Sequence, residues 1–129
     1  MFYTFAYPLT IDDKLATPKR IDMELTAGII HQVDVIFQKD CAHLIMVQIF
    51  KGSHQLWPSN PGAALRGDAT VISFREYVEL KGADNTLHAL LWTTGAFPLK
   101  EVVIQFGVLP KSVVMPLSFD ELVKAVAGL

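Results

Sequence analysis

A single cysteine, Cys41, among 129 residues excludes an intramolecular disulfide and any metal cage built from cysteine alone. A buried free thiol is the expectation for it. Runs of basic residues are absent too: 11 lysines and arginines are scattered along a chain of net charge -2, so the electrostatic footprint of a nucleic-acid binder is missing. The longest apolar stretch is broken by Asp34, Lys39 and Asp40 before it reaches the ~18 residues that cross a bilayer as a helix. The opening MFYTFAYPLT lacks the basic region, apolar core and small-residue cleavage site of a signal peptide, so synthesis in the cytoplasm and no membrane partner are expected. No Gly-rich phosphate loop and no Gly-x-Ser-x-Gly elbow occurs, and no cofactor is implied.

Charge itself is scarce. Only 19% of residues are charged and 51% are hydrophobic, against about 25% and 45–50% in an ordinary soluble domain. One core suffices for a chain of this length, so the surplus apolar surface is expected to be covered by other polypeptides.

What the sequence does have is a period of two, the spacing at which side chains share one face of a pleated strand. Tyr3, Phe5 and Tyr7 share a face between Phe2 and Leu9, and Ile21, Met23 and Leu25 alternate with Asp22 and Glu24. From Gly28 to Phe37 the alternation places Ile29, His31, Val33, Val35 and Phe37 together, with Gln32 and Asp34 opposite. Leu44 to Phe50 is almost continuously apolar and reads as a central strand covered on both sides. After Gly52-Ser53 the chain returns through His54 to Trp57, and the proline- and glycine-containing stretch Pro58 to Asp68 reads as a surface loop. Val71 to Leu80, Leu87 to Trp92 and Val102 to Val108 complete about eight strands, with turn signals between them. The fold class is all-β: an antiparallel sandwich, jelly-roll-like, spanning residues 1 to 110. Ser118 with Glu121 forms a capping box for a short helix bearing Leu122, Val123 and Val126, which makes residues 111 to 129 a C-terminal arm. A helix that short needs a neighbour to dock on.

Candidate chemistry is sparse. His31, His43, His54 and His88 fall on different predicted strands or turns with no His-x-His pair, so no metal site is expected. Cys41 and His43 share a face if that segment is a strand, which makes a thiolate pair geometrically conceivable, but no motif recruits the histidine as base. Asp12-Asp13 and Glu76/Glu79 fit solvated turns or strand edges. Arg66-Gly67-Asp68 lies in the long loop, where glycine supplies a turn. Trp57, before Pro58, Asn60 and Pro61, fits a contact surface as well as a core, whereas Trp92 within an apolar strand fits the core. Tyr3, Phe5 and Tyr7 belong either to an edge strand that joins a partner's sheet or to the first strand of the sandwich.

Four segments together, Phe2-Tyr3-Thr4-Phe5, Gly28-Ile29-Ile30, Cys41-Ala42-His43-Leu44 and Gln55-Leu56-Trp57-Pro58-Ser59-Asn60-Pro61, give a layout over Phe2 to Pro110 that resembles small β-sandwich virion proteins of tailed bacteriophages, notably capsid decoration or cement proteins. The resemblance implies a non-enzymatic homo-oligomer, often a trimer, seated in the virion on the major capsid protein where capsomers meet. It carries no individual residue across. The expected partner-contact residues are therefore those the residue pattern suggests: Trp57, Pro58, Asn60 and Pro61, then Tyr3 and Phe5, then Leu122 and Val126. Two other functions fit a sandwich: a carbohydrate- or receptor-binding module of fibre or adhesin type with Trp57 as stacking platform, and a cupin-like enzyme using His31, His43 or His88.

Overall fold

The computed structural model describes residues 1–95 and 100–110, and the expected C-terminal helix with Leu122 and Val126 lies outside them. Eight strands form: β1 (Phe2–Leu9), β2 (Lys19–Glu24), β3 (Gly28–Phe37), β4 (Ile45–Lys51), β5 (His54–Trp57), β6 (Thr70–Leu80), β7 (Thr86–Thr93) and β8 (Lys100–Leu109). They make two four-stranded antiparallel sheets, ordered β1-β8-β3-β6 and β2-β7-β4-β5. All connections except the β4–β5 hairpin cross between the sheets, which is the jelly-roll arrangement expected from the sequence.

The core lies between the sheets and is filled by one alternate set of side chains from each strand. Val102, Ile104, Phe106 and Val108 of β8 face Leu87, Ala89 and Leu91 of β7 and Val47 and Ile49 of β4, all essentially without solvent contact. An aromatic chain ties the layers together. The Trp57 ring of the second sheet stands 5.7 Å from Phe74 and 6.2 Å from Phe106, and Phe5 meets Phe106 edge-on at 6.2 Å. Each such pair contributes about 0.5–1.5 kcal/mol beyond area burial.

Bulges at two places change which residues face inward. The β3 register slips between Ile30 and Gln32 against both of its neighbours: His31 is the extra residue against β8, whereas against β6 the extra residue lies on β6, where Glu76 and Tyr77 stand opposite His31. Strict alternation therefore fails: Ile30, not Ile29, joins Val33, Val35 and Phe37 in the core, and Ile29 is buried outside that cluster. His31 is half-buried, and its ring lies where a Cβ at Gly107 would stand, 2.8 Å from Nε2, so the open position on β8 accommodates it. A second slip, between Ile49 and Phe50 of β4, leaves Leu56 as the extra residue on β5. Trp57 pairs with inward Ile49 while Gln55 pairs with outward Phe50, so residues two apart point to opposite sides of the sheet.

Trp92 is buried, as expected, and pairs with Met46 on the outward side of its sheet, opposite in phase to Leu91. Two further expectations are corrected. Asp13 is no solvated turn residue: it is 8% exposed, its Oδ2 accepts the Thr10 N–H at 3.0 Å and the Tyr7 hydroxyl at 3.3 Å, and its carbonyl accepts the Thr93 N–H at 2.7 Å. Cys41 and His43 lie in a turn, not a strand. Asp40, Ala42 and His43 there have φ of 71°, 51° and 58°, and Cys41 is buried in the core while His43 is exposed.

Candidate functional site

The outward side of sheet β1-β8-β3-β6 can be read row by row from its registers. Pairing sets Thr4, Gln105, Asp34 and Ser73 side by side, and the Gln32 amide ties this polar row by donating to Asp34 at 3.0 Å and Ser73 at 2.7 Å. The next row is wholly apolar: Ala6, Val103, Ile36 and Val71 run across all four strands. Among the described residues the large hydrophobic side chains left exposed are Met1, Phe2, Ile11, Leu15, Val71 and Tyr77. Met1, Phe2, Val71 and Tyr77 lie on or next to the two edge strands of this sheet, and Ile11 and Leu15 lie in the β1–β2 connection that crosses to the other sheet.

The first strand positions two of the expected contact residues differently from its exposed ones. Tyr3 and Phe5 point inward, stacked at 6.5 Å and packed against the core, while Phe2, Thr4 and Ala6 point out. The Tyr3 hydroxyl hydrogen bonds with that of Thr26 at 2.9 Å, and burial together with the Asp13 carboxylate raises the pKa of the Tyr7 phenol. The alternating aromatics Tyr3, Phe5 and Tyr7 stand out in the sequence, whereas Phe2, Thr4 and Ala6 do not. The signal that marks them is Pro8 closing a strand with no charged residue.

Trp57 occupies the core at 3% exposure, so its ring is no surface platform; the loop that follows it is what reaches the surface. Gln55, beneath that loop, donates to the carbonyls of Pro58 at 2.7 Å and Ala63 at 3.1 Å and accepts the Gly62 N–H at 3.1 Å. Gln48 donates to the Ala63 carbonyl at 2.9 Å, and Leu65 exchanges backbone hydrogen bonds with Val47. These bonds lay the loop over the outward side of β4, where Gln48 is 8% exposed. Asn60 and Pro61 remain exposed on it and Pro58 is half-buried. Gly67 is packed against Phe37, and a Cβ there would stand 2.5 Å from Thr70, so Arg66-Gly67-Asp68 is held down in the fold at its centre.

A solvent-open hollow of about 480 Å³ lies on the other sheet, lined by Arg20, Asp22 and Glu24 of β2, Thr86 and His88 of β7, and the turn residues Gly52 and Asp84. Cross-strand pairing sets Asp22 beside His88 and His88 beside Phe50, whose ring it stacks on at 5.1 Å with 5° between planes. Partial burial and then the nearby Arg20 guanidinium lower the His88 pKa, against an opposing pull from Asp22. Arg20 pairs with Asp22 at 3.0 Å on an exposed surface. Asp84 accepts the Thr86 N–H at 3.1 Å, and hydrogen bonds from Thr86 hold its carboxyl below the usual range. The lining has both signs of charge and suits a polar ligand with hydroxyl or charged groups.

Reactive groups do not converge elsewhere among the described residues. His31 is at the β3 bulge, His43 in a turn, His54 exposed on β5 and His88 in the hollow. No group of three or more His, Cys, Asp or Glu is placed to hold a metal ion among these residues. Burial raises the Cys41 pKa, which disfavours its thiolate. No described helix is long and apolar enough to cross a membrane. Comparison with protein-family models, with curated proteins and with solved structures returns no match.

Proposed function

We propose that this protein is a non-enzymatic structural subunit that works by binding other polypeptides through sheet β1-β8-β3-β6. The observation that carries the reading is the apolar row that crosses the outward face of this sheet, with Met1, Phe2, Val71 and Tyr77, four of the six exposed large apolar side chains, at its two edge strands. Isolated surface hydrophobics need no explanation, but a band continuous across four strands is what an interface leaves on a free subunit.

The finer reading is a virion role: a homo-oligomer, formed in the cytoplasm, that decorates a phage shell by binding the major capsid protein. It is supported by the residue layout of the sequence and by an architecture that serves viral capsid proteins among others. Its test is composition. Neighbouring reading frames encoding a major capsid protein or portal, and the chain present in purified particles at a fixed ratio to that protein, are expected. A neighbourhood of metabolic genes with absence from particles would overturn it.

A second reading, a carbohydrate- or receptor-binding module, draws support from the hollow around His88 rather than from Trp57. Glycan-array binding that disappears in Asp22→Ala, with the fold intact, would favour it over the first.

A further inference from the structure

Four strands end the two sheets, and their edges differ in protection. Strand β6 carries Arg75, Glu76 and Glu79, and β2 carries Lys19, Arg20, Asp22 and Glu24. Strand β5 is four residues long, and Leu65 from the following loop pairs with β4 beyond it. Charge, brevity and covering chain are the ordinary means of stopping edge-to-edge association. Strand β1, FYTFAYPL, has eight residues and no charge.

The backbone phase of β1 is fixed where it begins. The Val108 N–H donates to the Met1 carbonyl at 2.7 Å, and the Met1 amine donates back to the Val108 carbonyl, so residues 1 and 108 form a hydrogen-bonded pair. The β1–β8 register then runs unbroken from Phe2↔Gly107 to Leu9↔Lys100. In an antiparallel ladder such pairs alternate, so Tyr3, Phe5 and Tyr7 direct N–H and C=O at β8 while Phe2, Thr4 and Ala6 direct theirs away from the sheet. Pro8 falls in the second set, where its missing N–H costs nothing to the β1–β8 ladder.

We propose that this edge pairs with a second copy of itself, antiparallel about a two-fold axis at Thr4, so that two sheets of four strands become one of eight. The proposal rests on the reading of the chain as a structural subunit and gives it a contact and a register. Among the two-fold registers open to the outward groups, this one forms the most hydrogen bonds with no missing donor. Phe2 faces the partner's Ala6, Thr4 faces the partner's Thr4, and ~6 inter-strand hydrogen bonds form. Pro8 extends past the last paired position, so no donor is missing. A shift by two residues one way sets Pro8 against the partner's Phe2 and leaves a carbonyl unpaired in each copy; a shift the other way leaves only ~4 hydrogen bonds. The side chains agree, because Phe2, 62% exposed, falls over the partner's small Ala6 and adds one large apolar side chain to the end of the apolar row at the axis. Such an isologous contact is closed and yields a dimer, where the resemblance implied a trimer.

The test uses the full chain by light scattering and sedimentation over a wide concentration range, with variants Thr4→Pro, Ala6→Lys and Thr4→Cys. Thr4→Pro removes an outward donor only, and Ala6→Lys places charge at the edge without altering the backbone. The expected result is a wild-type dimer, association weakened at least tenfold toward monomer in both variants with unchanged circular dichroism, and copper-catalysed disulfide cross-linking of Thr4→Cys but not of Ser73→Cys on β6. Two Cα atoms ~5.5 Å apart across the axis suit such a bond. A wild-type monomer, or a dimer unaffected by either variant and not cross-linked at residue 4, overturns the pairing. The structural role falls separately, by absence of the chain from particles.

Discussion

The two sheets enclose one core yet treat their outward sides in opposite ways. Sheet β2-β7-β4-β5 is closed by its own chain: the loop after Trp57 lies over β4, bound by Gln48 and Gln55, and the rest is finished with the Arg20–Asp22 pair and the His88–Phe50 stack. Sheet β1-β8-β3-β6 has no such cover among the described residues at its apolar row, and its first strand has an uncharged edge. An outward sheet face can be satisfied internally or left to another molecule. The two sheets of this domain differ in this respect, and the proposed interface rests on that difference.

The comparison can be broken most forcefully at the anchor of the closed side. Trp57→Ala should cost about 3–5 kcal/mol in chemical denaturation, because the ring fills the core between Phe74 and Phe106. A loss under 1 kcal/mol would mean that the ring is not core. Gln55→Ala acts on the outer side of the same strand and should cost about 1–3 kcal/mol by removing buried hydrogen bonds to the loop. Proteolysis between Pro58 and Ala63 should then accelerate, with self-association unchanged, since the loop belongs to the other sheet.

A gain is expected from Ala42→Gly. Its left-handed φ of 51° burdens an L-residue, and relief offset by the entropy of glycine should leave about 0.5–1 kcal/mol of stabilisation. The smallest effect concerns His88. Its lowered pKa means that the unfolded chain binds more protons below the ordinary histidine value, so stability falls as pH drops through about 6.5 toward the folded-state value. Thermal melts from pH 7.5 to 5.5 should show a steeper decline for wild type than for His88→Gln, and parallel slopes would contradict the burial of that ring.

Much of this architecture was legible in the residues. Alternation along Ile45, Val47 and Ile49, and along Val102, Ile104 and Phe106, reads directly as inward faces because each strand keeps its phase there. The faces of β3 and β5 were not legible. Ile29 and Ile30 are both apolar, so nothing local shows that the His31 bulge sends one inward and one out, and Gln55 and Trp57 share a phase in sequence that Leu56 cancels in space. The hollow was hidden for another reason. Asp22 and Glu24 are plain outward alternates, but their meeting with His88 and Asp84 is a matter of register between strands far apart in the chain. The free edge was half visible: the absence of charge in β1 can be counted, whereas its position at the margin of a sheet comes only from the topology.

A copy paired at the free edge would cover the outward backbone of β1. Residue-resolved amide hydrogen exchange measures this directly. At concentrations where the particle weighs twice the 14.3 kDa of the chain, the Thr4 and Ala6 amides are expected to be protected as strongly as those of Tyr3 and Phe5. Protection that alternates along the strand, with Thr4 and Ala6 exchanging as open amides at every concentration, would contradict it.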